Sequence, residues 1–208
     1  MKKQLLSAVM LCTLGVVGCG EDNPNPTPPV DTGPKYNTED KVFNHLEGKT
    51  MVMEGENIPD TPNGISEDVV FGDATQCYNK VTMQMGARNL TVTSVRAVIE
   101  GATGNPPVGN CNRANIRDTL APFTSTIVAI SNVKEDGSCF DITVTFGGRG
   151  FSQEGRGLVS QDGKMLQLEL YFPGALGHRC ADGAVGAKTV RQNNRDITGN
   201  TVQKYVIQ

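Results

Sequence analysis

Apolar and polar residues alternate strictly in two stretches of the second half of the chain. Residues 139–146, Cys-Phe-Asp-Ile-Thr-Val-Thr-Phe, place an apolar side chain at every second position, and residues 166–172 repeat this spacing. Successive side chains of a β-strand point to opposite faces, so this period of two predicts strands with one buried and one polar face. The pattern therefore indicates sheet structure in which each strand is half exposed to water.

Less regular runs of the same kind extend the prediction along the chain. Asp-Gly and Gly-Asn pairs at 136–137, 162–163 and 199–200 precede three runs, and these pairs supply the positive φ that tight hairpins need. We therefore expect neighbouring strands to be antiparallel. The predicted strands are residues 50–55, 67–72, 77–86, 90–100, 123–133, 139–147, 150–160, 165–172 and 201–207, with 187–192 as a weaker candidate.

One segment before these strands has the spacing of a helix instead. Residues 37–48 begin with Asn37 or Thr38 as an N-cap and carry two acidic residues in the first turn. Three apolar side chains then recur on one side, namely Val42, Phe43 and Leu46. The spacing predicts a short amphipathic helix that leads into the first strand.

A series of about 8 to 10 consecutive antiparallel strands must bury its apolar faces and protect its edges. The sequence therefore predicts an all-β fold, an antiparallel meander that closes as a barrel, with a β-sandwich as the alternative and one short N-terminal helix. Five glycines indicate bends or bulges where the sheet curves and so favour the barrel. They are Gly147, Gly148, Gly150, Gly155 and Gly157.

The segment Leu46-Glu47-Gly48-Lys49 follows the predicted helix and leads into the first strand. In this position it resembles the start of lipocalin-like (calycin) barrels, although the tryptophan of that family is absent. The resemblance implies a carrier of a small apolar ligand, and no ligand site of the family is transferred to this chain. Alternate positions of the predicted strands supply an apolar interior for such a carrier: Val81, Met83, Leu166, Leu168 and Leu170.

The first eighteen residues have the features of a secretory signal. Lys2 and Lys3 precede an apolar run over residues 5–17, which is too short to span a bilayer permanently. The tetrad Val16-Val17-Gly18-Cys19 resembles the lipobox of bacterial lipoproteins. The resemblance implies cleavage before Cys19, acylation of that cysteine (palmitate is the expected type of chain) and, because Gly20 rather than Asp follows, localisation to the outer membrane. Whether the protein faces the periplasm or the cell surface stays open.

Residues 19–36 contain five prolines among Asn, Asp and Thr and almost no apolar side chain, so they cannot build a core. We interpret them as a lipidated, proline-rich tether between a signal peptide at residues 1–18 and a single β-domain at residues 37–208. After removal of the signal the chain has 17 basic and 22 acidic side chains. This acidic balance without a basic stripe argues against nucleic acid as a partner.

Four cysteines follow the tether: Cys77, Cys111, Cys139 and Cys180. An even number of cysteines in an oxidising compartment predicts two disulfides, and three pairings are possible. If the strands alternate in direction, Cys139 lies at the opposite end of the sheet from the other three, and either long segment, 101–121 or 173–200, could run outside the sheet to reach it. The sequence alone does not choose among the pairings; our prediction is Cys77 with Cys111 and Cys139 with Cys180. The spacings lack the close ligand pairs that zinc prefers, so no metal and no cofactor is expected.

Residues with potential chemistry concentrate in segment 173–200. His178 with Asp182 could form a base and its orienting acid, but the chain lacks the Gly-x-Ser-x-Gly turn of a nucleophilic hydrolase. The same segment is basic in an acidic protein, and exposed loops often carry recognition. Its candidate recognition residues are His178, Arg179, Lys188, Arg191 and Arg195.

Three functions follow from these observations. The first is an outer-membrane-anchored, non-catalytic binding or structural subunit of an envelope assembly, with a protein partner and the membrane as its contacts. The second is the calycin-like carrier. The third is an enzyme acting on envelope glycans through carboxylates such as Glu154 or Asp182, which requires two carboxylates about 5 to 9 Å apart in a cleft. The absence of a catalytic motif favours a non-catalytic role.

Overall fold

The computed structural model describes residues 33–59, 77–104, 108–187, 190–192, 194–197 and 200–208. The predicted signal, most of the tether and the predicted strand at 67–72 lie outside these residues. One helix, α1, spans Glu39–Leu46. The strands are β1 Thr50–Glu54, β2 Tyr78–Met85, β3 Leu90–Thr103, β4 Val108–Thr119, β5 Phe123–Thr124, β6 Ile127–Ser131, β7 Phe140–Phe146, β8 Phe151–Val159, β9 Met165–Tyr171, β10 Val190–Gln192, β11 Arg195–Ile197 and β12 Gln203–Ile207.

The helix forms as its sequence predicts. The Thr38 side chain accepts a hydrogen bond from the backbone N–H of Lys41 at 3.3 Å, which caps the first turn. The apolar side turns inward, and Val42, Phe43 and Leu46 are all buried in the core. The helix therefore packs its apolar side into the same core as the sheet.

Nine strands form one antiparallel sheet in the order β4-β3-β2-β1-β12-β9-β8-β7-β6, and β5 pairs with β3. Two meanders, β1 to β4 and β6 to β9, are joined by the C-terminal strand β12, which lies between β1 and β9. A hairpin into the last strand was expected, but β11 pairs with β10 instead. The prediction of a continuous meander is therefore wrong for the last strand.

The expected closure into a barrel is also wrong. The two edge strands of the described sheet, β4 and β6, pair with β3 and β7 and not with each other. The chain passes between the two halves over residues 123–131, since β5 pairs with β3 and β6 pairs with β7. The result is an open, sandwich-like sheet, the stated alternative, which surrounds one core of side chains from both halves.

The segment 101–121 was expected to be a loop, but it contains the end of β3 and all of β4. Residues 97–103 of β3 and their partners on β4 extend past Tyr78, the first residue of β2, and form a two-stranded arm. Most of the arm's side chains are exposed or half-buried on both faces. Its polar sequence therefore carries no alternation, which is why the strand was missed.

The glycines of β8 were expected to mark bends or bulges, but no bulge interrupts the pairing of β7 with β8. The register from Phe140 with Gly157 to Phe146 with Phe151 is continuous. A Cβ on Gly155 would overlap the carbonyl oxygen of Glu169, and one on Gly157 would lie 2.8 Å from the Phe140 ring. These two glycines therefore permit close packing, while Gly147–Arg149 forms a short 3₁₀ turn between the strands.

Candidate functional site

A cavity of about 360 Å³ lies between the two halves of the sheet. The exposed member of its lining is Arg149, the last residue of the turn at Gly147–Arg149. The cavity therefore reaches solvent beside this turn. Its lining comes from eight strands and the adjoining turns: Met53, Tyr78, Val81, Met83, Leu90, Val92, Ser94, Leu120, Phe123, Val144, Phe146, Arg149, Phe151, Gln153, Leu170, Phe172, Gln203 and Tyr205.

The inner wall of the cavity is aliphatic. Its side chains occupy the inward positions of four strands and are at most 5 % exposed. They are Met53, Val81, Met83, Val144 and Leu170. Three of the five positions that the sequence suggested for a carrier's interior, Val81, Met83 and Leu170, therefore line the cavity. The other two, Leu166 and Leu168, are buried in the packed core and do not line it.

A small polar group interrupts this wall near the start of β12. The Tyr205 hydroxyl donates a hydrogen bond to the Gln203 side-chain oxygen at 2.7 Å, and both residues are buried. Burial, followed by the nearby Tyr78, raises the pKa of Tyr205 above its ordinary value. The phenol therefore stays neutral, and because its proton is donated to Gln203, its oxygen can accept a hydrogen bond from an occupant but offers no charge.

Four phenylalanines and one arginine surround the mouth. Ring centroids are 5.3 Å apart for Phe123 and Phe146, 4.9 Å for Phe146 and Phe151, and 6.0 Å for Phe151 and Phe172. The Arg149 guanidinium lies over the Phe123 ring, 4.5 Å from its centroid. The mouth therefore combines an apolar rim with one positive charge.

A second buried region lies on the opposite face of β7, β8 and β9, beneath the described residues of the stretch 173–200 (173–187, 190–192, 194–197 and 200), which we call the covering segment. Arg156 and Glu169 form an ion pair at 2.6 Å, with side chains 0 % and 2 % exposed. Glu169 also accepts hydrogen bonds from the Thr201 hydroxyl at 3.0 Å and the Gly186 N–H at 3.0 Å. Arg156 donates to the carbonyl of Gly183 at 2.9 Å.

A disulfide attaches the covering segment to the sheet. Cys180 bonds to Cys139, and its backbone N–H donates to the buried Asp141 carboxylate at 2.8 Å. The other disulfide joins Cys77 to Cys111 on β4. Both bonds form in the predicted pairing, and the covering segment runs outside the sheet to reach Cys139.

His178 does not form a base with Asp182. The ring is 6 % exposed, and neither ring nitrogen has a hydrogen-bond partner among the described residues. Burial, with Arg179 as the second cause, lowers the pKa of His178. Asp182 instead accepts from the Arg179 backbone N–H at 3.1 Å. The described geometry therefore buries His178 beside Glu154, with Nε2 3.4 Å from the Glu154 Oε1 atom, and not beside Asp182 as an orienting acid.

The structure places the remaining candidate residues as follows. The Arg179 side chain forms an ion pair with Glu154, and Arg191 forms one with Asp196 at 2.8 Å. Arg195 begins β11, and its side chain is not described. Lys188 and Cys19 lie outside the described residues. The structure therefore gives the two described arginines of this set acidic partners within the chain.

Sequence reasoning missed Arg149 and the aromatic mouth. The glycines around Arg149 were interpreted only as a bend in the sheet, and a short turn does lie there, at Gly147–Arg149. Phe123, Phe146, Phe151 and Phe172 lie on different strands or strand ends, so no local pattern joins them. The signal in the sequence was that four of the chain's seven phenylalanines lie close to turns, which could have indicated an aromatic cluster there.

No helix among the described residues is long and apolar enough to cross a membrane. The same residues contain no group of three or more His, Cys, Asp or Glu side chains that could hold a metal ion. Comparison with protein-family models, curated proteins and solved structures found no match to this chain. The functional argument therefore depends on the geometry of the domain itself.

Proposed function

We propose that this protein is a non-catalytic binding protein of the bacterial envelope, held at the outer membrane by acyl chains on Cys19. In this proposal the β-domain binds a small apolar molecule inside the sheet. The observation that supports it is the cavity of about 360 Å³ with its buried aliphatic wall. Ligand sites of proteins occupy about 300 to 1,000 Å³ and are mostly apolar with a few polar groups, so this cavity suits a small ligand.

The chemistry of the lining favours binding over catalysis. Arg149 is the one side chain of the described lining that carries a charge, and a guanidinium cannot act as a general base. Tyr205 and Gln203 offer neutral hydrogen bonds. Glu154, a carboxylate considered for an enzyme, lies outside this lining and is paired with Arg179. These groups can orient a ligand but supply no acid and base pair.

Native mass spectrometry of the lipidated protein with N-phenyl-1-naphthylamine, a small apolar probe, tests the proposal. The wild type should bind one probe. Val81→Phe, which places a ring in the cavity, should lose it. Thr82→Phe adds the same ring to the neighbouring position of β2, whose side chain is not part of the lining, and should bind like the wild type. Absence of binding, or equal binding by Val81→Phe, would contradict the proposal.

The anchor has its own test. Mass analysis of the amino-terminal peptide from the native host should find Cys19 as the first residue, carrying acyl chains. Two or three chains make membrane attachment effectively permanent, at about 0.8 kcal/mol for each buried CH₂. An uncut or unmodified amino end would remove the membrane from the proposal and leave the cavity as the remaining argument for binding.

A second candidate function is that of a subunit in an envelope assembly, as expected from the sequence. The observation that favours it is the two-stranded arm, whose outer strand β4 is an edge of the described sheet and carries Ile116, 57 % exposed. Unpaired strand edges can accept a strand from a partner. Cross-linking in cells should capture a defined envelope protein, and Ile116→Arg should reduce that capture. Recovery of no partner would count against this function.

A further inference from the structure

We propose that the cavity selects a single-chain amphiphile with an anionic head group, and that Arg149 binds this head. The inference rests on the proposed binding function and names the class of ligand. It uses three features of the mouth and the interior: a guanidinium that reaches solvent, its position on an aromatic ring, and an aliphatic wall behind it. The sequence alone predicted no role for Arg149 in binding.

Arg149 is the charged group at the entrance, and it is available to a ligand. It is exposed, and no ion pair among the described residues includes it. In the covering segment, by contrast, Arg179 and Arg191 are both paired with carboxylates. The positive charge at the mouth is therefore not consumed by the protein's own acids in the described part of the chain.

The geometry at the turn holds the guanidinium in place without using its hydrogen-bond donors. The Arg149 guanidinium carbon lies 4.5 Å from the centroid of Phe123, so the group rests on the ring face. A guanidinium has five N–H donors in a planar fork that suits a carboxylate or a phosphate. The short turn Gly147–Arg149 positions the side chain beside the cavity. An anionic head at the mouth would thus meet a preorganised donor.

The interior behind Arg149 suits a flexible chain. Two methionines, Met53 and Met83, lie beside Val81, Val144 and Leu170 in the buried wall. Methionine side chains are unbranched and adapt to irregular apolar shapes. An alkyl chain could lie along this wall while its charged end stays at the solvent-facing mouth, where an ion need not lose its hydration completely. A ligand with one chain and one terminal anion matches both ends of the cavity.

Three probes with the same alkyl chain test the inference: decanoate, decyl phosphate and decanol. Their affinities are measured by native mass spectrometry on the lipidated wild type, on Arg149→Gln and on Arg191→Gln. The last variant also removes one exposed positive charge, but from the hairpin of the covering segment, so it is the matched control. Because Arg149 is exposed, its replacement leaves the packed core intact.

We expect at least one anionic probe to bind the wild type roughly tenfold more tightly than decanol, the effect of one charge-assisted hydrogen-bonded pair. Arg149→Gln should lose this advantage while keeping the decanol affinity, and Arg191→Gln should retain it. The tighter anionic probe identifies the head group as carboxylate or phosphate.

Two results would overturn the inference while leaving the proposed function in place. One is that decanol binds as tightly as both anionic probes. The other is that an anionic advantage persists in Arg149→Gln. Failure of all three probes while N-phenyl-1-naphthylamine still binds would also overturn the inference. Failure of N-phenyl-1-naphthylamine together with the decyl probes would instead overturn the proposed function, and the inference with it.

Discussion

The two faces of the β7-β8-β9 part of the sheet are both buried, but they are buried in opposite ways. The inner face presents aliphatic side chains and leaves a cavity of about 360 Å³ in front of some of them. The outer face presents Arg156 and Glu169, which pair with each other and bond to backbone groups of the covering segment and to the Thr201 hydroxyl. The apolar face can tolerate empty space, whereas the charged face cannot, because an unpartnered buried charge is far more costly than a lost apolar contact.

The largest effect should come from breaking the buried ion pair. Glu169→Gln leaves Arg156 buried without a counter-charge and should lower the free energy of unfolding by about 3 to 5 kcal/mol. Urea denaturation measures it. The double variant Arg156→Met with Glu169→Gln is the control and should lose less stability than Glu169→Gln alone. A double variant that is less stable than the single one would show that the charge itself is not the cause.

The disulfides should rank next. Each closes a loop of 34 or 41 residues, and the chain-entropy model assigns each about 4 kcal/mol. Replacing Cys139 and Cys180 by Ala should cost more than replacing Cys77 and Cys111, because it also releases the cover of the buried ion pair. Urea denaturation of both double variants compares them. Equal losses would mean that the covering segment is held by its other contacts.

The same change, Leu to Ala, can be made on the inner face at a packed position and at a position that lines the cavity. Leu168 is 1 % exposed in the packed core, and Leu170, 5 % exposed, lines the cavity. Leu168→Ala should cost about 2 to 5 kcal/mol, and Leu170→Ala should cost less, because its side chain already faces empty space on one side. Thermal and urea unfolding check the order. The reverse order would indicate that the cavity is filled in the free protein.

A smaller effect should appear as a pH dependence of the free energy of unfolding, caused by His178 on the outer face. Burial lowers the pKa of His178 below its ordinary 6.5, so the unfolded chain takes up a proton at higher pH than the folded one. Stability should therefore fall as pH drops below about 6.5 and level off below the folded pKa, with a slope of at most about 1.4 kcal/mol per pH unit.

Urea denaturation of the wild type and His178→Gln, at about pH 7.5 and about pH 5.5, isolates this contribution. The variant should lose less stability than the wild type over this interval. Glu154, Arg179, Asp182 and Asp141 act on the His178 pKa from the surrounding elements and remain in both proteins. An identical loss in the two proteins would exclude His178 as the source of the pH dependence.

The smallest effect is expected at the surface of the covering segment. Arg191 and Asp196 form an ion pair with side chains 55 % and 53 % exposed. Such exposed pairs contribute little, because solvent screens them, so Arg191→Ala should leave the free energy of unfolding nearly unchanged. A larger loss in urea denaturation would show that the segment is held from its surface rather than by the groups beneath it.

The elements that the sequence predicted best are those whose side chains have one wet and one buried face. Their sequences show which face is buried: β7 and β9 alternate apolar and polar residues, and α1 repeats apolar residues on one side after an N-cap. These elements therefore lie where they were predicted. β4 was missed because both of its faces are largely exposed. Glu169 is a polar position in the alternation of residues 166–172, so the sequence predicts it as solvent-facing although it is buried beside Arg156.

By itself, the sequence determined the all-β character, the position of most strands and the short helix, and it limited the disulfides to three pairings. These features depend on local spacing, turn residues and the number of cysteines. Only the tertiary structure decided that the sheet stays open, that β12 joins the two meanders, that the covering segment buries an ion pair, and that a cavity opens beside Arg149. These outcomes depend on contacts between residues far apart in the chain, for which no local pattern carries a signal.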